Sequence, residues 1–135
     1  MVLHRLAGSK KALDACRLVE RLYLAGERVV VWFQDEGKAA IFDQYLWTFS
    51  DTAFVPHRVA KGEELVEEPV ALVIGPLVNP NRAKHLVVME PPSSLRQVKG
   101  FPMVHDLLTV GEERQGHWEK AGFPVREVRG VASDQ

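Results

Sequence analysis

The side chains through which this chain would do chemistry are a few histidines, one cysteine and several adjacent carboxylates, and their spacing argues against most reactions. His57, His85, His105 and His117 are widely separated, and none belongs to a compact Cys/His set or an HExxH helix. They read as surface or loop histidines, and no metal is expected. Cys16 falls on the apolar face of a helical pattern, where a thiol packs as a small hydrophobe rather than reacting. Ser50, Asp51 and His57 share one irregular stretch. Ser50 has no nucleophile-elbow context, so turn formation is the expected role of the three. The pairs Glu63/Glu64, Glu67/Glu68 and Glu112/Glu113 are adjacent in sequence rather than stacked on a helix, which suits solubility or helix-start electrostatics better than acid/base work. Gly8-Ser9-Lys10 is only a fragment of a phosphate loop, and neither GxGxxG nor GxxxxGK[ST] occurs. No catalytic residue and no cofactor is expected.

The elements that would carry these residues follow from periodicity. Val2–Leu6 reads as a short strand, and Ser9 as the cap of a helix running to about Ala25. In that helix Ala12, Ala15, Cys16, Val19, Leu22 and Tyr23 recur at helical spacing, and Gly26 is its stop. The run from Arg28 to Gln34 contains Val29-Val30-Val31-Trp32-Phe33 with no polar alternation, the pattern of a parallel strand covered on both faces. Asp35 caps a helix from Glu36 to about Trp47. Thr48–His57 reads as irregular, and Ala60–Glu68 as an exposed connection. Val70–Ile74 and His85–Met89 are further strands, closed by Gly75-Pro76 and by Pro91-Pro92. Phe101–Leu108 is expected to contain a strand, Glu112–Ala121 a helix ending at Gly122, and Phe123–Val128 a final edge strand. Alternating strands and helices predict one three-layer α/β/α domain with a mainly parallel sheet over residues 1–129, followed by a flexible tail at 130–135.

The whole-chain numbers agree with that class. The chain has 135 residues, enough for one modest core, and 17 basic against 18 acidic side chains exclude a globally basic nucleic-acid coat. Charge is nevertheless uneven. Residues up to Gln34 carry six basic and three acidic side chains, whereas Asp35 through Glu68 carry three and eight. A lone cysteine gives no disulfide framework, and no apolar run reaches membrane-spanning length, so a cytoplasmic protein with no membrane partner is expected.

The informative stretch is Leu46-Trp47-Thr48-Phe49-Ser50-Asp51-Thr52-Ala53-Phe54-Val55-Pro56-His57, which leaves a helix and places three large aromatics within eight residues. Physical chemistry alone assigns it either to the edge of the core or to a partner site. Together with Ala15-Cys16-Arg17-Leu18, the apolar strand that follows, Pro69–Gly75 and Leu86–Met89, it resembles the chi subunit family of bacterial DNA polymerase III. The resemblance implies a non-catalytic accessory subunit of the clamp-loader complex. Its partners would be the psi subunit and the acidic, apolar C-terminal tail of single-stranded DNA-binding protein, with nucleic acid met only indirectly. It also implies that Trp47, Phe49, Phe54 and His57 belong to the partner-facing region or its scaffold. In the last helix, Arg114, Trp118 and Lys120 would receive the tail by charge pairing and apolar contact; Trp118 is equally well read as anchoring that helix to the sheet. Gly116 inside the helix lowers its propensity. Two alternatives from other classes stay open: a nucleotide-binding small α/β module, and direct binding of single-stranded DNA through Lys10, Arg17 or Arg21 with the aromatics.

Overall fold

The computed structural model describes residues 1–50, 54–62, 64–91 and 95–131. Asp51, Glu63, Pro92 and residues 132–135 of the tail lie outside the described residues. In chain order the elements are β1 (Val2–Arg5), α1 (Lys11–Leu24), β2 (Val29–Phe33), α2 (Glu36–Thr48), β3 (His57–Val59), β4 (Val70–Ile74), β5 (His85–Val88), a 3-10 turn (Arg96–Gly100), β6 (Met103–Leu108), α3 (Gln115–Lys120) and β7 (Arg126–Arg129). The strands form one sheet of order β3-β4-β2-β5-β6-β1-β7. Every pairing is parallel, with Val29–Phe33 of β2 set against Val70–Ile74 of β4.

This is the expected α/β architecture, and the reason is visible in the strands. All five residues of β2 are buried, which requires a layer on each face. On one face α1 and α2 close over Leu18, Val31, Phe33, Phe42, Leu72 and Val87. On the other, the 3-10 turn and α3 close over Leu3, Trp32, Val88, Val98, Val104 and Trp118. Crossover connections put such covers on parallel sheets, and burying both faces is what stabilises them.

Local chemistry sets the helix ends. The Asp35 side chain accepts from Gly37 N at 3.2 Å, so α2 begins as read. Ser9 does not cap α1. The cap position is Lys10, without a side-chain bond, and the helix starts instead with Asp14 N donating to Lys10 O at 3.1 Å. Gly26 ends α1 at φ 83° with its N–H on Tyr23 O, and Gly122 ends α3 at φ 92° with its N–H on Glu119 O. Both conformations favour glycine because a side chain would crowd the following carbonyl. α3 is shorter than its sequence pattern, since Glu112 is spent on holding the preceding turn through Thr109 N and Oγ1 at 2.9 and 2.8 Å. At the other end, Gly130 N donates to Arg5 O at 2.6 Å and Val131 packs on the core, so these two residues extend the domain edge.

Candidate functional site

The carboxyl end of α2 and the start of β3 build an exposed aromatic patch. Trp47 is 52 % exposed and Phe54 58 %. Their ring centroids lie 5.4 Å apart, and Trp47 also rests on His57 at 4.9 Å. His57 is the buried pedestal of this stack. Its Nδ1 lies 2.7 Å from Val55 O, while Nε2 makes a close polar contact with Asp43 Oδ1 at 2.9 Å without hydrogen-bond alignment. Asp43 and Trp47 are four apart on α2, so one flank of the helix presents both. Phe49 behaves differently, packing half-buried on the core beneath α1 and α2. Three of the four residues named from sequence are therefore brought together, two exposed rings stacked with one buried imidazole, while Phe49 packs on the core. β3 itself lies at the sheet edge with a single strand neighbour.

The second candidate cluster is organised by a residue the sequence reading passed over. Asp106 sits in β6 with no exposed surface. Arg114 grips it with Nε and Nη2, each at 2.8 Å, and Trp118 Nε1 donates to the same carboxylate at 2.8 Å. Arg114 also donates to Glu112 Oε2 at 3.0 Å and Leu107 O at 3.0 Å. Partial burial pushes the Glu112 carboxyl up, but the Thr109 and Arg114 donors outweigh it and hold the group at about 2. For Arg114, burial opposes the charge, and Asp106 and Glu112 reverse that and hold it ionised. Trp118 is 0 % exposed. It anchors α3 to the sheet and offers no surface to a partner, and Arg114 is committed to Asp106. Lys120 alone of the three stands exposed, at the carboxyl end of α3.

The histidines correct the expectation of surface or loop groups. His105 and His57 are buried, His85 is half-buried in β5, and only His117 is exposed. His4, His105 and His85 form a row across β1, β6 and β5, with ring nitrogens 3.0 Å apart at each step and rings stacked at 5.3 Å. The row ends at Glu27, 3.5 Å from His85 Nε2. Burial pulls His4 down to about 4 and His105 to about 3, the latter also through the two neighbouring rings, so both are neutral at pH 7. The rings face one another rather than a shared point, and no group of three or more His, Cys, Asp or Glu among the described residues is arranged to hold a metal. Cys16 is buried, and burial alone pushes its thiol up to about 12. No helix among the described residues is long and apolar enough to cross a membrane.

Residues 2–123 match the family described as DNA polymerase III chi subunit, HolC. The chain is 29% identical over 122 residues to the DNA polymerase III subunit chi of Pseudomonas aeruginosa, covering 85% of this chain and 83% of that protein. It is also 29% identical over 96 residues to the probable DNA polymerase III subunit chi of Rickettsia prowazekii, covering 70% of this chain and 58% of that one.

Proposed function

The chain belongs to the DNA polymerase III chi subunit family, and from that premise we propose that it is a non-catalytic accessory subunit of the clamp-loader complex, acting by binding other proteins. The observation that carries this reading is the Trp47–Phe54 pair. Two large aromatic side chains stand more than half exposed, in ring contact, on a buried histidine. Exposed aromatics held rigid by their neighbours lose little entropy when a partner covers them, which is the profile of an interface anchor. We assign this patch to the psi subunit, with Trp47 and Phe54 in contact and Phe49 and His57 as support.

The C-terminal tail of single-stranded DNA-binding protein is assigned to the α3 side of the sheet. There Lys120 would pair with tail carboxylates, while Arg114 and Trp118 hold the helix in place. Nucleic acid would then be met through that protein rather than directly, in the cytoplasm. The buried Asp106 and His105 are occupied by structural contacts and Cys16 is buried as a free thiol in the core, which supports the non-catalytic part of the reading. Co-elution tests it: the purified chain and its own organism's psi subunit should leave a sizing column as one complex. Separate elution at micromolar concentrations would reject the assignment.

A further inference from the structure

Two lysines line one cavity and meet different chemistry there. The cavity lies between α1 and α2 and holds about 260 Å³. Its inner lining is the buried Phe33, Phe42 and Met89, with Ala12 and Ile41 nearer the solvent. It stands beyond the carboxyl ends of β2 and β5. β2 continues into α2 on one face of the sheet, whereas β5 leads towards the 3-10 turn on the other. Divergence of neighbouring parallel strands leaves a crevice at such a point. Lys38 belongs to the outer rim. Its Nζ lies 3.0 Å from Glu90 Oε2, and that carboxylate holds the ammonium above its ordinary value. The lone pair of this amine is occupied by a proton.

Lys11 is placed otherwise. Its Nζ donates to Met89 O at 2.7 Å, an uncharged acceptor that a free amine satisfies as well as an ammonium does. Burial, and after it the neighbouring Arg114, pull the Lys11 ammonium below its ordinary value, against the opposing pull of Asp106, Glu112 and Glu90. Lys11 is also the first residue of α1, where the positive end of the helix dipole disfavours a further cation. A lysine on an apolar wall beside another cation is the arrangement that leaves an amine nucleophilic. A second hollow shares Lys11 and Ala12 with the first and runs past Ser9, Lys10 and Leu13 to Tyr45. Lys11 therefore stands where an inner apolar hollow meets an outer one. The inner hollow is just below the usual size of a small-molecule pocket, which suits a short aliphatic chain. It also selects by charge. Glu90 fills the anion position at the amino end of α2, accepting from Gln34 N and Asp35 N at 3.3 Å each, so an anionic group placed there would be repelled.

We propose that Lys11 is an acylation site, at which Nζ takes a short aliphatic acyl group from a thioester and the chain comes to rest against Phe33, Phe42 and Met89. The amine lone pair attacks the thioester carbonyl carbon. The C–N bond forms, the C–S bond breaks, and the thiolate leaves and takes up the proton that the nitrogen gives up. The product amide keeps one N–H, enough to hold Met89 O. One positive charge is lost and the apolar cavity is filled. The site is separate from both protein-binding assignments above, and neither depends on it.

The chain has seven lysines, and the exposed Lys10, adjacent in sequence, is the internal reference. The native protein would be incubated near neutral pH with S-butyryl-N-acetylcysteamine, an uncharged thioester, and acylation of each lysine followed by peptide mass spectrometry. Lys11 should react at least about tenfold faster than Lys10, because the cavity holds the acyl group beside the amine. Its rate should level off as the thioester concentration rises, the mark of a bound reagent. In the urea-unfolded chain the two lysines should react within about twofold of each other, since only the fold distinguishes them. Ala12→Met, which keeps helix propensity and lengthens the side chain shared by the two hollows, should bring the Lys11 rate down to that of Lys10 with the circular dichroism spectrum unchanged. Lys11 reacting no faster than Lys10 in the native protein, or keeping its advantage in urea, would overturn the proposal. So would a fast Lys11 rate that stays linear in thioester concentration and ignores Ala12→Met, because the acyl chain would then have no seat in the cavity.

Discussion

Removing Arg114 tests the structural logic of the last helix, because three other groups depend on its guanidinium. Asp106 has no exposed surface and is satisfied by two Arg114 donors and one Trp118 donor, all at 2.8 Å. In Arg114→Ala the carboxylate keeps a single donor in a dry site, while Glu112 and the Leu107 carbonyl each lose a partner. Breaking a buried pair by deleting one member costs about 3–5 kcal/mol, because the remaining charge is stranded. The Arg114 side chain is 19 % exposed, and water entering through that opening favours the lower end of the range, about 3 kcal/mol. A chain of this size has about 5–15 kcal/mol in total, so the loss is a large fraction of it. With a urea dependence of about 1–3 kcal/mol per molar, the unfolding midpoint should fall by about 1–3 M. Arg114→Lys should recover part of the loss, since an ammonium restores charge but not the two-pronged fit. The double change Asp106→Leu with Arg114→Met should cost less than Arg114→Ala, because it strands no charge. Equilibrium urea unfolding followed by tryptophan fluorescence measures all four proteins. A midpoint for Arg114→Ala within about 0.2 M of the parent would refute the claim that this ion pair carries the anchorage of α3.

Other consequences are equally concrete. His4 and His105 have folded values of about 4 and about 3, below the ordinary 6.5. The unfolded chain therefore takes up protons first, and the stability these two rings contribute is complete above about pH 6.5 and lost as pH falls towards 3. His105→Phe should flatten the decline of the urea midpoint between pH 7 and 4.5, and an unchanged slope would contradict the assignment. Cys16, pushed up to about 12 by burial, should not react with a thiol reagent at pH 8 until the protein is unfolded. Rapid reaction of the native protein would show that α1 opens locally.

Much of the architecture was legible because the signals were local. Five consecutive apolar residues at Val29–Phe33 required cover on both faces, and Asp35 ahead of a helical pattern capped α2 as its side-chain chemistry dictates. Ser9 failed as a cap because cap preference is a weak local bias, and the chain turns into α1 one residue later with Lys10 in that position. β3 went unread because three residues at a sheet edge have too little periodicity to show.

The sites divide along the same line. Trp47 and Phe54 were recognisable as unusual, but only the fold separates their exposed rings from the half-buried Phe49. Spacing put Arg114 and Trp118 on one side of a helix and left Trp118 open to partner contact or anchorage; the fold buries it against Asp106. The missed signal was Asp106, a charge inside the strand Met-Val-His-Asp-Leu-Leu, which demanded a cation and a donor from elsewhere in the chain. The row of His4, His105 and His85 depends on the register of β1, β6 and β5, strands distant in sequence, and no spacing rule reveals it.

The most direct test of the central claim is calorimetric titration of the psi subunit into the parent protein and into the double variant Trp47→Ala, Phe54→Ala. Both rings are more than half exposed, and the circular dichroism spectrum of the variant at the titration temperature should match that of the folded parent. The account predicts micromolar or tighter binding by the parent and a loss of at least about 30-fold in the variant, the effect of removing an interface anchor worth about 2 kcal/mol. Equal affinity for both proteins would contradict it, and would move the partner contact away from this aromatic patch.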